Sequence, residues 1–394
     1  MTARGLLLLL ALWTCAPTWG AGALSEATWK RLNAIQEQMA AGDNRKAVAA
    51  LQRLAERTRA NPYEYANVMQ TLGYAWSALE RYDKAAEAFR AALATEALPD
   101  GVMQAMRYDL AQLLALQGRW AAALKVYRRW LANEKAPSAE SYLLGATLYS
   151  ELERYPAAIE ALRKAIALAK RPRKAWYQML LGLYHQAKQP RNALKLLQRM
   201  VALWPGEGRY WKQLSALHYQ LGQHRQALVT LALAYRQGHL SKERELLNLV
   251  NLYLLQKIPY KAARIMEREI EKGRIRPTGR HLRQLGEAWM AARETEKAIG
   301  ALQRAAERLG EGPLYLRLAR LQYDRGRWRE VIRQARAARR AGGLKNPGTA
   351  WLLEGMAHHE LGREEQAKAA FRKALDYPKS RSQAQQWLNF LGNF

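Results

Sequence analysis

The sequence predicts an all-α fold: about ten helix-turn-helix hairpins stacked into a right-handed superhelical solenoid, closed by a C-terminal capping helix. Three observations predict it. A small residue recurs at Ala47, Ala85, Ala123, Ala158, Ala193, Ala227, Ala263, Ala298, Val331 and Ala367, with successive gaps of 38, 38, 35, 35, 34, 36, 35, 33 and 36. A glycine or alanine with an aromatic about three residues on precedes it in most copies, as in Gly73 and Trp76. Prolines such as Pro137, Pro172, Pro205 and Pro313 fall between copies, where helices should stop.

The chain opens with Arg4, an apolar run from Leu6 to Trp13 and a small-residue stretch ending in Ala21-Gly22-Ala23. This is the pattern of a secretory signal over residues 1–23, cleaved after Ala23. The apolar run is far shorter than the roughly 20 residues that span a bilayer. Cys15 is the single cysteine; Leu12 three residues before it leaves lipid attachment open, although Trp13 and Thr14 are poor neighbours for a lipoprotein signal. Cleavage leaves a cysteine-free product with no disulfide and no zinc–thiolate site, which fits a periplasm.

The repeats then follow over residues 24–378. A degenerate first copy surrounds Gly42, Ala47 and Leu51. Clear copies carry Leu72-Gly73, Trp76, Tyr82, Ala85 and Phe89; then Leu110-Ala111, Gly118, Trp120, Ala123 and Tyr127; then Ala146, Tyr149, Ala158 and Leu162. Leu180, Tyr184, Ala193 and Leu197 mark the fifth, and Trp211, Leu214, Gly222 and Ala227 the sixth. Tyr260 with Ala263, Gly286 with Trp289 and Ala298, Gly326 with Trp328 and Val331, and Gly355 with Gly362, Ala367 and Phe371 mark the rest. The 38-residue gaps place extra residues in loops around Pro99 and Asn61-Pro62.

The spacing has a packing reason. Gly73 or Ala111 in the first helix of a hairpin is expected to face Ala85 or Ala123 in the second, so the pair closes tightly. Each hairpin has too little core to fold alone, and stacking buries a continuous one. Residues 379–394 read as the cap, with Ala384, Trp387, Leu388 and Leu391 on one face. A period near 34 residues with this pattern is the signature of the tetratricopeptide repeat (TPR).

The chain also resembles, over essentially all its length, the exported TPR proteins that accompany TonB–ExbB–ExbD energy-transducing systems. The stretches that carry the resemblance are Trp176 to Tyr184 (WYQMLLGLY), Leu233 to Leu240 (LAYRQGHL), Pro259 to Arg264 (PYKAAR), Gly343 to Gly348 (GLKNPG) and the opening Leu24 to Leu32. The resemblance implies a periplasmic accessory protein, peripheral to the inner membrane, that binds TonB, ExbB or ExbD. It implies a role in outer-membrane uptake of iron carriers. An envelope-assembly protein, acting in polysaccharide export, peptidoglycan synthesis or pilus building, is the alternative. An RNA-binding helical repeat is a third reading, which the export signal and the small-residue packing oppose.

The formal net charge is +29. Nucleic acid is the usual partner of such an excess, but export leaves anionic envelope surfaces or acidic protein segments as the available polyanions. A solvated arginine-rich surface is the plain alternative. Arg329, Arg333, Arg336 and Arg340 recur at gaps of 4, 3 and 4, so they share one outer helix face and form the densest basic patch.

Partner binding is expected on the inner, concave wall. Its candidate residues are Gln70, Tyr74, Tyr108, Gln112, Gln178, His185, Lys212, Tyr219, Arg283, Arg320, Tyr323 and His359. Amides can hydrogen-bond an extended backbone, tyrosines supply contact area, and cations meet carboxylates. Lys212, Arg283 and Arg320 are expected to make the C-terminal half positive. No catalytic, metal or cofactor site is expected: the adjacent His358 and His359 cannot share a face, and there is no phosphate loop or GxSxG. Repeats also leave no room for a catalytic domain.

Overall fold

The computed structural model describes residues 23–392. Residues 1–22, with Cys15 and nearly all of the expected export signal, lie outside that range. The described residues form 21 α-helices and no strand. None of these helices is long and apolar enough to cross a membrane.

The chain divides into two compact units, the first ending at Leu196 and the second starting at Leu197. The first unit holds the hairpins α1 (Glu26–Ala40) with α2 (Asn44–Thr58), α3 (Pro62–Ala78) with α4 (Tyr82–Ala94), α5 (Asp100–Leu116) with α6 (Trp120–Asn133), and α7 (Ala139–Glu151) with α8 (Tyr155–Leu168), then α9 (Lys174–Gln186). The boundary falls inside α10 (Pro190–Leu203). The second unit holds α11 (Gly208–Gln220) with α12 (His224–Arg236), α13 (Glu243–Leu255) with α14 (Pro259–Glu271), and α15 (Gly279–Ala291) with α16 (Thr295–Leu309). It continues with α17 (Gly312–Tyr323) and α18 (Trp328–Ala341), α19 (Gly348–Glu360) and α20 (Glu364–Ala374), and ends with α21 (Pro378–Gly392). From α1 to α9, and again from α11 to α21, each helix packs on the next in chain order, the nearest-neighbour pattern of a repeat array.

The small-residue column is the core of the array. Ala47, Ala85, Ala123, Ala158, Ala193, Ala227, Ala263, Ala298, Val331 and Ala367 each have 0% of their surface exposed. Three first-helix glycines, Gly73, Gly286 and Gly355, open notches beside this column. They make room for the residue one helical turn beyond it. A Cβ added at Gly355 would lie 2.6 Å from Phe371, and one at Gly286 would lie 2.6 Å from Leu302. Gly73 seats Phe89 in the same way. In each case the seated residue is four positions after the small one, and its larger side chain, a phenylalanine ring or a leucine, fills the notch.

Each turn inside a hairpin reverses through one left-handed residue. In order these are Gly42, Glu80, Gly118, Glu153, Lys188, Gly222, Lys257, Arg293, Gly326 and Gly362. Half are glycine and half are not.

Polar bonds join equivalent positions of neighbouring repeats. Tyr74 Oη donates to Asp109 at 3.1 Å, Tyr235 Oη to Glu269 at 2.6 Å, and Asn346 Nδ2 to Ser380 Oγ at 2.8 Å, over separations of 35, 34 and 34 residues. In the last repeat α21 packs on α19 and α20. There Trp387 stacks on Phe371 with ring centroids 5.3 Å apart and planes 9° from parallel.

Candidate protein-binding face on the first helices

In the first unit, four of the sequence-selected residues lie together on α3 and α5. Gln70 and Tyr74 sit one turn apart on α3; Tyr108 and Gln112 sit one turn apart on α5. All four are half-buried. Tyr74 packs edge-on against Phe89 at 5.1 Å, and Tyr108 packs on Trp130 at 4.7 Å. These contacts fix two tyrosine rings while leaving part of each at the surface. Gln70 and Gln112 stand beside the hydroxyls of Tyr74 and Tyr108 and oppose part of the effect of burial on them. Burial raises both phenols above their usual range, so each hydroxyl stays a donor at neutral pH.

Asp109 completes the group and was not selected from the sequence. Burial pushes its carboxyl up to about 6, against the lowering effect of the Tyr74 hydrogen bond. Among the described residues it forms no ion pair, in a chain with 63 lysines and arginines against 34 aspartates and glutamates. A lone aspartate next to tyrosine carries no motif. Its partner is 35 residues back, so only the repeat period itself links the two. The arrangement offers amides, tyrosine hydroxyls and one carboxylate oxygen system within two turns of two adjacent helices. That set matches the donors and acceptors of an extended peptide.

The remaining sequence-selected residues do not join this group. Gln178 is half-buried and His185 exposed on α9. In the second unit the expected positive wall is corrected by ion pairing. Lys212 Nζ binds Glu245 at 2.6 Å, and Arg283 pairs with Glu311. Against burial, which raises it, hydrogen bonds from Lys212 and from the backbone of Lys242 and Ser241 hold the Glu245 carboxyl below its usual range. Lys212 is thus a strut between repeats, and of the three cations Arg320 alone is exposed and outside an ion pair among the described residues. Tyr219 is 52% exposed beside His224, whereas Tyr323 packs edge-on against Trp328 at 5.1 Å. His359 packs between Trp387 and Phe390 of α21, at 5.5 and 5.8 Å, and belongs to the end of the stack.

The outer arginines lie on one exposed face of α18, as the spacing predicts. One of the four is committed: Arg336 Nε binds the buried Glu354 of α19 at 2.7 Å. Arg339 binds the same carboxylate at 2.6 Å and lies 3.4 Å over the Trp351 ring. Arg325 and Arg327, nearby, pair with Glu296.

Charge is divided between the two helices of the hairpin. The ten second helices carry 30 lysines and arginines against 12 aspartates and glutamates; the ten first helices carry 11 against 12. Within the hairpins the helical basic excess is therefore a property of the second helices. Among the described residues no group of three histidine, cysteine, aspartate or glutamate side chains is placed to hold a metal ion.

Comparison with known proteins agrees with this architecture. A tetratricopeptide-repeat family model matches residues 32–102, 71–140 and 143–208, and a second one matches residues 348–380. Together they cover just over half of the chain. No curated protein matches the sequence. Among solved structures, a tetratricopeptide-repeat protein from Parabacteroides merdae is 14% identical, with a TM-score of 0.39 over 72% of this chain and 94% of its own. MamA from Desulfovibrio magneticus is 19% identical, with a TM-score of 0.38 over 47% and 99%. YrrB, described as a TPR protein with an unusual peptide-binding site, is 20% identical, with a TM-score of 0.29 over 58% and 96%. These TM-scores are too low to speak to the partners of this chain.

Proposed function

This chain belongs to the tetratricopeptide-repeat family, and we propose that it is an exported accessory scaffold serving a TonB–ExbB–ExbD-type complex in outer-membrane uptake. Repeats of this family form protein-interaction scaffolds. The observation that carries the binding role is the α3–α5 face, where Gln70, Tyr74, Tyr108, Asp109 and Gln112 lie together. An extended partner segment would lie along this face, its backbone met by the amides and its side chains by the tyrosines.

Two features support the envelope setting. One is the apolar run from Leu6 to Trp13 followed by the small-residue stretch ending at Ala23. The other is the resemblance of the stretches at Trp176, Leu233, Pro259 and Gly343 to the TonB-associated proteins. Much of the stretch from Trp176 to Tyr184 is packing: Trp176, Tyr177, Leu180, Leu181, Leu183 and Tyr184 are all buried.

The test is a pull-down from envelope fractions with the full chain and with Tyr74→Ala/Tyr108→Ala, alongside iron-carrier uptake in a deletion strain. The expected result is recovery of TonB, ExbB or ExbD by the parent, weaker recovery by the variant, and impaired uptake. Normal uptake with recovery of polysaccharide-export, peptidoglycan or pilus components instead would assign the scaffold to envelope assembly.

A further inference from the structure

We propose that the second-helix face of the C-terminal unit docks on an anionic phospholipid bilayer surface. The inference rests on this face alone and holds whichever protein complex the scaffold serves.

Two helices define the face. On α18, Arg329, Arg333 and Arg340 project to solvent without an ion-pair partner among the described residues. On α12 the corresponding exposed row is Arg225, Val229, Leu233 and Arg236, at gaps of 4, 4 and 3. The two rows are in register. Counted from the buried small residue of each helix, Arg225 matches Arg329, Val229 matches Arg333, and Arg236 matches Arg340. Within this unit the second helices hold 16 basic against 8 acidic side chains, and the first helices 7 against 5. The basic excess of this unit's hairpin helices therefore lies mainly on the second helices.

The apolar pair decides which polyanion fits. Val229 is 52% exposed and Leu233 40% exposed, in the middle of a row bounded by arginines. Seven of the ten exposed large apolar side chains among the described residues fall between Leu203 and Tyr260. Nucleic acid or an acidic polypeptide rewards the arginines but leaves Val229 and Leu233 in water. A bilayer interface rewards both: guanidinium groups meet lipid phosphates, and aliphatic side chains enter the headgroup boundary. Both rows are open helix surface rather than a pocket, which suits an extended surface and not a single small ligand.

The experiment is flotation of the full chain with vesicles of phosphatidylcholine alone and of phosphatidylcholine with phosphatidylglycerol. Binding is expected only to the second, falling as salt rises. Arg329→Gln/Arg333→Gln/Arg340→Gln should weaken vesicle partitioning by roughly five-fold for each charge removed. Val229→Ser/Leu233→Ser should weaken vesicle binding while leaving binding to polyglutamate unchanged. All five side chains are exposed, so thermal unfolding should match the parent. Absence of binding to phosphatidylglycerol vesicles overturns the proposal, as does equal binding by the triple variant. Capture of RNA or polyglutamate without vesicle binding assigns the face to that polyanion instead.

Discussion

Tyr74 donates its phenolic hydrogen to Asp109 at 3.1 Å, joining α3 to α5 across one repeat. The bond holds an otherwise unpaired carboxylate in a half-buried position. Burial raises that carboxyl from an ordinary 3.8 to about 6. Its folded value is above its unfolded value, so between about pH 4 and 6 the folded state binds more protons than the unfolded state. This group therefore contributes stability at low pH that is lost as pH rises through 6. Asp109→Asn is neutral at every pH, so it removes the buried charge and the pH dependence that goes with it, and keeps an acceptor for Tyr74. The expected outcome is a gain of about 1–2 kcal/mol at neutral pH, shrinking toward pH 4. Urea unfolding across that range measures it, and an unchanged pH profile in the variant counts against the assignment.

The glycine notches make a second expectation. In α19, a Cβ at Gly355 would lie 2.6 Å from Phe371, which is itself fully buried. Gly355→Ala should cost about 1–3 kcal/mol through overpacking. Gly355→Ala/Phe371→Leu should recover part of that loss, because leucine withdraws the ring atoms that the methyl group meets. If the double variant is less stable by the sum of the two single effects, the notch is not what couples them.

The hairpin turns supply a third. Gly118 has a φ of +69° and open space around it, so Gly118→Ala isolates the backbone term. A loss of about 1 kcal/mol is expected. Lys257 holds the same left-handed place with a φ of +56°. Lys257→Gly should stabilise by a few tenths to about 1 kcal/mol, since the relieved strain exceeds the added chain entropy. Denaturation midpoints of the two variants should move in opposite directions.

The residues behind these expectations differ in how far the sequence shows them. The alanine column is fully legible, because a buried helix–helix contact admits only small side chains and the same contact recurs ten times. The turns are half legible: Gly118 and Gly222 stand out, but Glu80 and Arg293 adopt the same backbone shape with nothing in their chemistry to mark it. Charge pairing is the least legible. Lys212 and Glu245 are 33 residues apart, and whether a cation is free or spent depends on side-chain reach across neighbouring repeats. Asp109 is hidden for the same reason. Tyr74 and Tyr108 are legible because helix periodicity alone puts them on the first-helix face.

The capping helix tests the energetic consequence of a nearest-neighbour array. Trp387 of α21 stacks on Phe371 of α20 and packs against His359 of α19. It closes the end of the second unit, where Phe371 and Leu352 form a cluster with Ala384 and Leu391. Trp387→Ala removes a large half-buried ring and should cost about 2–3 kcal/mol. In a compact globule such a loss is shared by the whole cooperative unit. In an array of hairpins it is borne first by the repeat it touches, because each hairpin is stabilised mainly by its neighbours. Hydrogen exchange should therefore accelerate in α19, α20 and α21, fall back toward parent rates at α15 and α16, and leave α3 and α5 unaffected. Uniform acceleration across all the described helices would mean that the chain unfolds as a single cooperative body, and local notches such as Gly355 against Phe371 would then act on the stability of every repeat at once.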